Sequence, residues 1–121
     1  MSVPILKQGN VLIASLQAAM SDVDLVRLKD DLSDSVGRHR SGGVVIDVSA
    51  LDVMDSFATR TLRSIAQTTK LRGAETVIVG IQPDVAFAMI QLGLTMDDVS
   101  TALDLESGLA MLTRAKLELR P

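Results

Sequence analysis

Residues 44–62 constrain the fold more than any other part of this chain: Val-Val-Ile-Asp-Val-Ser-Ala-Leu-Asp-Val-Met-Asp-Ser-Phe-Ala-Thr-Arg-Thr-Leu. The segment opens on a continuous apolar run, Val44-Val45-Ile46, broken only by Asp47 before Val48. Such a run suits a strand buried on both faces. A short polar loop follows, and a helical pattern begins at Asp55-Ser56. In open α/β sheets, function sits in the crevice outside the carboxyl ends of the strands, which is where this loop falls. Asp52, Asp55 and Ser56 lie there, and no base stands nearby in the chain to activate the serine hydroxyl. That combination predicts a serine that is acted upon and not one that acts.

The remainder of the chain is read around this segment. A length of 121 residues predicts one domain, 1–121, large enough for a real core. With 2% aromatic residues in a chain that is 47% hydrophobic, packing must be almost wholly aliphatic. No apolar run approaches the roughly 18 to 20 residues that span a bilayer. The N-terminus lacks the basic lead and long apolar segment of a signal peptide. These features predict a cytoplasmic protein that does not engage membranes. The absence of cysteine excludes disulfides and thiolate chemistry, and one histidine leaves no multi-histidine metal site. Neither a metal nor a cofactor is expected.

A net charge of -3, with scattered basic residues and only Phe57 and Phe87 to stack on a base, argues against nucleic-acid binding. The densest basic group, Arg38-His39-Arg40, is more simply a complement to the dipole at a helix end.

Short apolar runs on either side of Gln8-Gly9-Asn10 predict an antiparallel hairpin, with Pro4 confining the first strand to an edge or to its own first position. Ser21-Asp22-Val23-Asp24 reads as a capping box. Leu25, Leu28, Leu32 and Val36 then follow at helical spacing, ending before Ser41-Gly42-Gly43. The second helix starts at Asp55 or Ser56, with Ala58, Leu62, Ile65, Ala66 and Thr69 inward and Arg60, Arg63, Gln67 and Lys70 outward. Gly73 fits a left-handed cap after it. Residues 76–79 predict a buried strand closed by Gly80, and Pro83 suits the first position of a helix over 84–92 stopped by Gly93. A short strand around Val99-Ser100-Thr101 and a last helix from about Leu105 complete the chain. Leu105, Leu109, Leu112 and the Lys116 stem are expected to pack there. The order is ββαβαβαβα, an α/β fold with a mixed sheet of about five strands flanked by four helices and right-handed crossovers.

Catalytic readings fare poorly. Gly42-Gly43 precedes a strand, whereas phosphate loops place their glycines between strand and helix. The lone glycine of Gly80-Ile81-Gln82-Pro83-Asp84 reads as a tight turn. His39 is expected at the far end of the first helix from Ser56, and no Gly-x-Ser-x-Gly elbow exists. Asp52 and Asp55 could pair for acid/base work, but an acid at a helix N-cap is stabilised in its ionised form. An enzyme is not expected. A phosphate on Ser56 would add about -1.5 to -2 charges. The positive helix end would stabilise it by about 0.3 to 1 kcal/mol, while the two aspartates would oppose it. Modification of Ser56 would therefore repel a docked acidic or apolar partner without unfolding the domain.

Asp47-Val48-Ser49-Ala50-Leu51-Asp52-Val53-Met54-Asp55-Ser56 resembles the signature loop of STAS domains, the anti-sigma-factor antagonist fold. The likeness runs over nearly the whole chain, through Gly73-Ala74 and Gly80-Ile81-Gln82-Pro83. Asp55-Ser56-Phe57 and Thr101-Ala102-Leu103-Asp104-Leu105-Glu106 resemble the stressosome branch of that family, the small RsbS-type scaffolds, since ordinary antagonists carry serine or glycine where Phe57 stands. The resemblance implies a non-enzymatic scaffold and phospho-switch. It implies that Ser56 is the phosphoacceptor of an RsbT-type serine kinase, held until phosphorylation and then released to a downstream output. It also implies RsbR-type co-scaffold partners and self-association in a large assembly. Asp55 would present Ser56, and Met54, Phe57 and Arg60 would form the partner surface. Two other readings stay open: a stand-alone anti-anti-sigma factor that binds an anti-sigma kinase, and a nucleotide- or lipid-binding STAS module with its ligand near Gly80.

Overall fold

The computed structural model describes residues 3–94 and 99–118, with side chains as far as Arg114. The chain runs β1 (Ile5–Gln8), β2 (Val11–Ser15), α1 (Asp22–His39), β3 (Gly43–Asp47), α2 (Ser56–Leu71), β4 (Glu75–Val79), α3 (Pro83–Gln91), β5 (Ser100–Ala102) and α4 (Leu105–Glu118). This is the expected ββαβαβαβα order, and the expected boundaries fall within a residue or two of those observed. Lys116 lies outside the described side chains.

The five strands lie in one sheet in the order β1-β2-β3-β4-β5, antiparallel between β1 and β2 and parallel elsewhere. Gln8 pairs with Val11 across the two-residue Gly9-Asn10 turn, and Pro4 precedes an edge strand as its missing N–H requires. The alternation of each strand divides the core. Leu12, Ala14, Val44, Ile46 and Ile78 face the side covered by α1 and α2. Ile13, Val45, Val77 and Val79 face α4, through Leu112 and the half-buried Leu105 and Leu109. β3 thus has helices on both sides, which is why its sequence is a continuous apolar run and not an alternation.

Local signals set the helix starts. Ser21 Oγ accepts from the Asp24 N–H at 3.2 Å while Asp24 Oδ2 accepts from the Ser21 N–H at 3.0 Å, a complete capping box. The Ser21 N–H holds the Asp24 carboxyl below the ordinary aspartate value of 3.8. Inward on α2 lie Leu62, Ile65, Ala66 and Thr69 as expected, joined by Thr59 and Thr61. Those two hydroxyls donate to the carbonyls of Asp55 and Phe57, four residues back, which lets threonine be buried without an unmet polar group. At the other end, the Thr69 and Thr76 hydroxyls share a buried 2.9 Å hydrogen bond that ties α2 to β4. Arg63, expected outward, is half-buried.

Candidate functional site

The loop between β3 and α2 is built from its ends. The Val48 N–H donates to the Val79 carbonyl at 3.0 Å, carrying the parallel ladder one residue past β3. The Ser49 N–H then turns onto Asp47 Oδ1 at 2.9 Å, and the Leu51 N–H closes a turn onto the Val48 carbonyl at 3.0 Å. Leu51 and Met54 anchor the loop in the core from below. Val53 between them is 82% exposed. Asp55 is extended (φ -90°, ψ 176°), and its Oδ1 accepts the Ala58 N–H at 2.7 Å as the N-cap of α2. Ser56 therefore occupies the first helical position, where its backbone N–H is one of the unpaired donors of a helix start.

A second loop braces the first. The Gln82 side-chain amide donates to the Ser49 carbonyl at 2.8 Å, across 33 positions of sequence. Gly80 lies beneath at φ +74°, where an added Cβ would come 2.8 Å from the Ser49 Cβ and 3.0 Å from Asp47 Oδ1. Only glycine accepts both that conformation and that approach. The Gly-Ile-Gln-Pro turn, which reads in the sequence merely as a turn, thus positions the serine loop. Gly80→Ala is expected to cost about 1 to 2 kcal/mol for the left-handed residue alone, with a further cost as Ser49 shifts. Chemical denaturation measures the loss, and amide exchange faster at Ser49 and Leu51 than in the helices would place it in this loop.

The structure brings the proposed site residues together unequally. Ser56, Asp55 and Arg60 are exposed, and Phe57 is half-buried against the core. Met54, expected on the partner surface, is 7% exposed and belongs to the core cluster. Its apolar chain follows the burial of Leu51, because the loop must be held from beneath. Ser56 and Arg60 are separated by one helical turn and share a face of α2. Thr59, a second candidate hydroxyl, is buried and hydrogen-bonded, whereas Ser49 is exposed.

What lies beside the start of α2 is set by tertiary packing. The first turn of α1 brings exposed Val23 and Val26 alongside, and a cleft of about 470 Å³ runs between them and Phe57, edged by Asp22, Arg27 and Asp30. A smaller cavity of about 230 Å³ opens between Leu16, Met20, Leu51, Val53 and Asp55. The surface is apolar at its centre, and around it Asp22, Asp30, Asp52 and Asp55 outnumber Arg27 and Arg60. Signal for it was present in Val23 and Val26, which break the polar face of an otherwise amphipathic α1.

Among the described residues no helix is long and apolar enough to cross a membrane, and no three acidic or histidine side chains converge on a metal position. The space beside Gly80, about 320 Å³, is lined by Ile81, Met89, Ile90, Leu94, Val99 and Leu103, with Thr101 as its hydroxyl.

The family model for the STAS domain matches residues 2–110. A serine-to-glutamate variant of RsbS from Moorella thermoacetica is 34% identical and superposes with a TM-score of 0.86 over 95% of this chain and 97% of that one. A chain in the molecular architecture of the stressosome, described as a signal integration and transduction hub, is likewise 34% identical, with a TM-score of 0.84 over 93% of this chain and 98% of that one. The RsbT co-antagonist protein RsbRA of Bacillus subtilis is 26% identical over 100 residues, 83% of this chain. This chain spans about a third of that relative's length, 36%. The sheet order, the loop ending in Asp55-Ser56 and these matches converge: the chain belongs to the STAS-domain family and is RsbS-like within it.

Proposed function

We propose that this chain is a phospho-switch and scaffold of a stressosome-type assembly, without enzymatic activity of its own. In its unmodified form it holds an RsbT-type serine/threonine kinase beside RsbR-type partners. Phosphorylation of Ser56 releases the kinase to a downstream output. The observation that carries this reading is the placement of Ser56: an exposed hydroxyl at the first position of α2, on a loop fixed by Gln82 and Gly80, amid exposed valines. A protein kinase needs a hydroxyl it can reach, and a partner surface needs an apolar centre. The similar proteins agree in kind, since one is an RsbS and another is named for co-antagonism of RsbT.

The switch follows from charge. Met54 supports the loop, Asp55 holds the helix start, and Phe57 with Val23 and Val53 offers apolar contact. A phosphoryl group on Ser56 would bring about -1.5 to -2 charges to a surface that already holds Asp22, Asp52 and Asp55. Arg60 can pair with part of that charge and the helix end favours it, so the fold survives while a docked surface is driven off. The nucleotide-binding reading gains no support, because the described residues lining the space beside Gly80 are apolar apart from Thr101 and include no cation for phosphate.

Incubation with an RsbT-type kinase and ATP, followed by peptide mass mapping, tests the proposal. Phosphate on Ser56 in the wild type and none on Ser56→Ala is the expected result. Phosphate only on Ser49 or elsewhere, with an active kinase, would overturn it. A small one-to-one complex on a sizing column, in place of a large assembly, would favour a stand-alone anti-sigma antagonist.

A further inference from the structure

At the end of the fold away from Ser56, the last turns of α1 and α2 enclose a cleft of about 440 Å³, lined by Gly37, Arg40, Ser41, Gly42, Arg72 and Gly73 beside Val36. Four observations there need a common explanation. Arg40 is the one described residue other than glycine with positive φ (φ 50°, ψ 43°). That conformation is uncommon for a residue with a Cβ, and here it forms the left-handed C-cap of α1. Arg72 lies so close over Gly37 that a Cβ at position 37 would collide with its guanidinium. A glycine inside a helix weakens it, and here it is what admits the arginine. Ser41 is 3% exposed, and its hydroxyl oxygen is buried with no hydrogen-bond partner. Finally, among the described residues neither Arg40 nor Arg72 makes a side-chain hydrogen bond or ion pair, including to Glu75 at the start of β4.

Two arginines at helix C-termini would ordinarily be complements to the helix dipoles. Several of the terminal carbonyls are already supplied, however. Arg40 and Ser41 N–H groups donate to the Val36 carbonyl, Ala74 and Arg72 N–H groups to that of Thr69, and the Gly73 N–H to that of Lys70. The guanidiniums are thus left with unspent donors facing a cleft, in a chain whose net charge is -3. Lys70, in the last turn of α2, adds to the local positive potential.

We propose that this cleft is a binding site for a phosphate monoester or similar oxyanion, held by the Arg40 and Arg72 guanidiniums, with Ser41 in its lining. Guanidinium presents paired N–H donors that match two oxygens of a phosphate. The site lies a full α2 length from Ser56, about 24 Å for its 16 residues. It is therefore separate from the candidate phosphoacceptor of the same chain. The phosphate can come from a small molecule or from a phosphoserine of another protein chain.

Titration with inorganic phosphate at constant ionic strength, followed by amide and arginine Nε resonances, tests the proposal. Expected are saturable shifts at Ser41, Gly42 and Arg72, with affinity about tenfold weaker in Arg72→Gln. Arg40→Gly separates binding from folding: glycine relieves the left-handed strain, so its melting temperature should hold or rise while phosphate affinity falls. Shifts that grow linearly without saturation, or equal affinity in wild type, Arg72→Gln and Arg40→Gly, would overturn the site and leave ordinary dipole complements. A phosphoserine peptide covering residues 52–60 distinguishes the sources. Binding tighter than inorganic phosphate, and lost without the phosphoryl group, supports a protein-borne ligand, whereas equal or weaker binding supports a free one.

Discussion

Ser56→Asp is expected to weaken binding of an RsbT-type kinase about a hundredfold, while Ser56→Ala leaves it close to the wild-type value. The basis is the surface charge. Like charges brought together in a desolvated contact cost several kcal/mol, and about 2.7 kcal/mol is a hundredfold. Asp22, Asp30, Asp52 and Asp55 outnumber Arg27 and Arg60 in the surroundings of Ser56, so one further carboxylate is only partly compensated. Titration of the kinase by calorimetry, at low and at high salt, measures the effect. The gap between the variants should narrow as salt rises, because screening at about 0.15 M acts over roughly 8 Å. Equal affinity for Ser56→Asp and wild type would count against repulsion as the release mechanism. Ser56→Ala should also take up no phosphate and hold the output off.

Leu62→Ala carries the largest expected loss of stability. Leu62 is fully buried, on the face of α2 that meets the sheet. Truncation leaves a cavity between elements that cannot collapse independently, at a cost of about 2 to 5 kcal/mol. That is a large part of the 5 to 15 kcal/mol that typically holds a domain together. The urea midpoint should fall by about 1.5 M at an ordinary m-value. A shift below about 0.5 M would mean that α2 is not seated on the sheet as described. Such a variant also serves as a control for site mutants, because it weakens the fold without touching the exposed hydroxyl of Ser56.

Much of the architecture was legible because its signals are local. The Ser21 capping box, the Asp55 cap and the Gly9-Asn10 hairpin each act within four residues, and each is found as expected. The apolar run at 44–46 announced a strand covered from both sides, and its neighbours β2 and β4 confirm it. Ser56 was legible for the same reason, since a hydroxyl just after a capping acid at the end of a buried strand has a known place in a helix.

Other features were settled over distances that no window of sequence contains. Periodicity shows that a helix has an apolar stripe but not which side of the sheet receives it. That α4 covers one face while α1 and α2 share the other depends on where each crossover returns. The Gln82 to Ser49 hydrogen bond joins positions 33 apart, so Gln82 looks like any polar turn residue until the turn is folded against the loop. Met54, expected at the surface from its loop position, is buried with Leu51 in the core cluster, because packing beneath the loop and not position along the chain decides burial. Likewise Arg40 and Arg72, 32 positions apart, meet only because α1 and α2 lie side by side and end together. Backbone geometry and apolar spacing act through neighbours in the chain, and they determined which elements form and where the serine stands. Burial, long-range hydrogen bonds and the meeting of charges act through space, so only the packed tertiary structure decided what surrounds Ser56 and what collects at the opposite end of the fold.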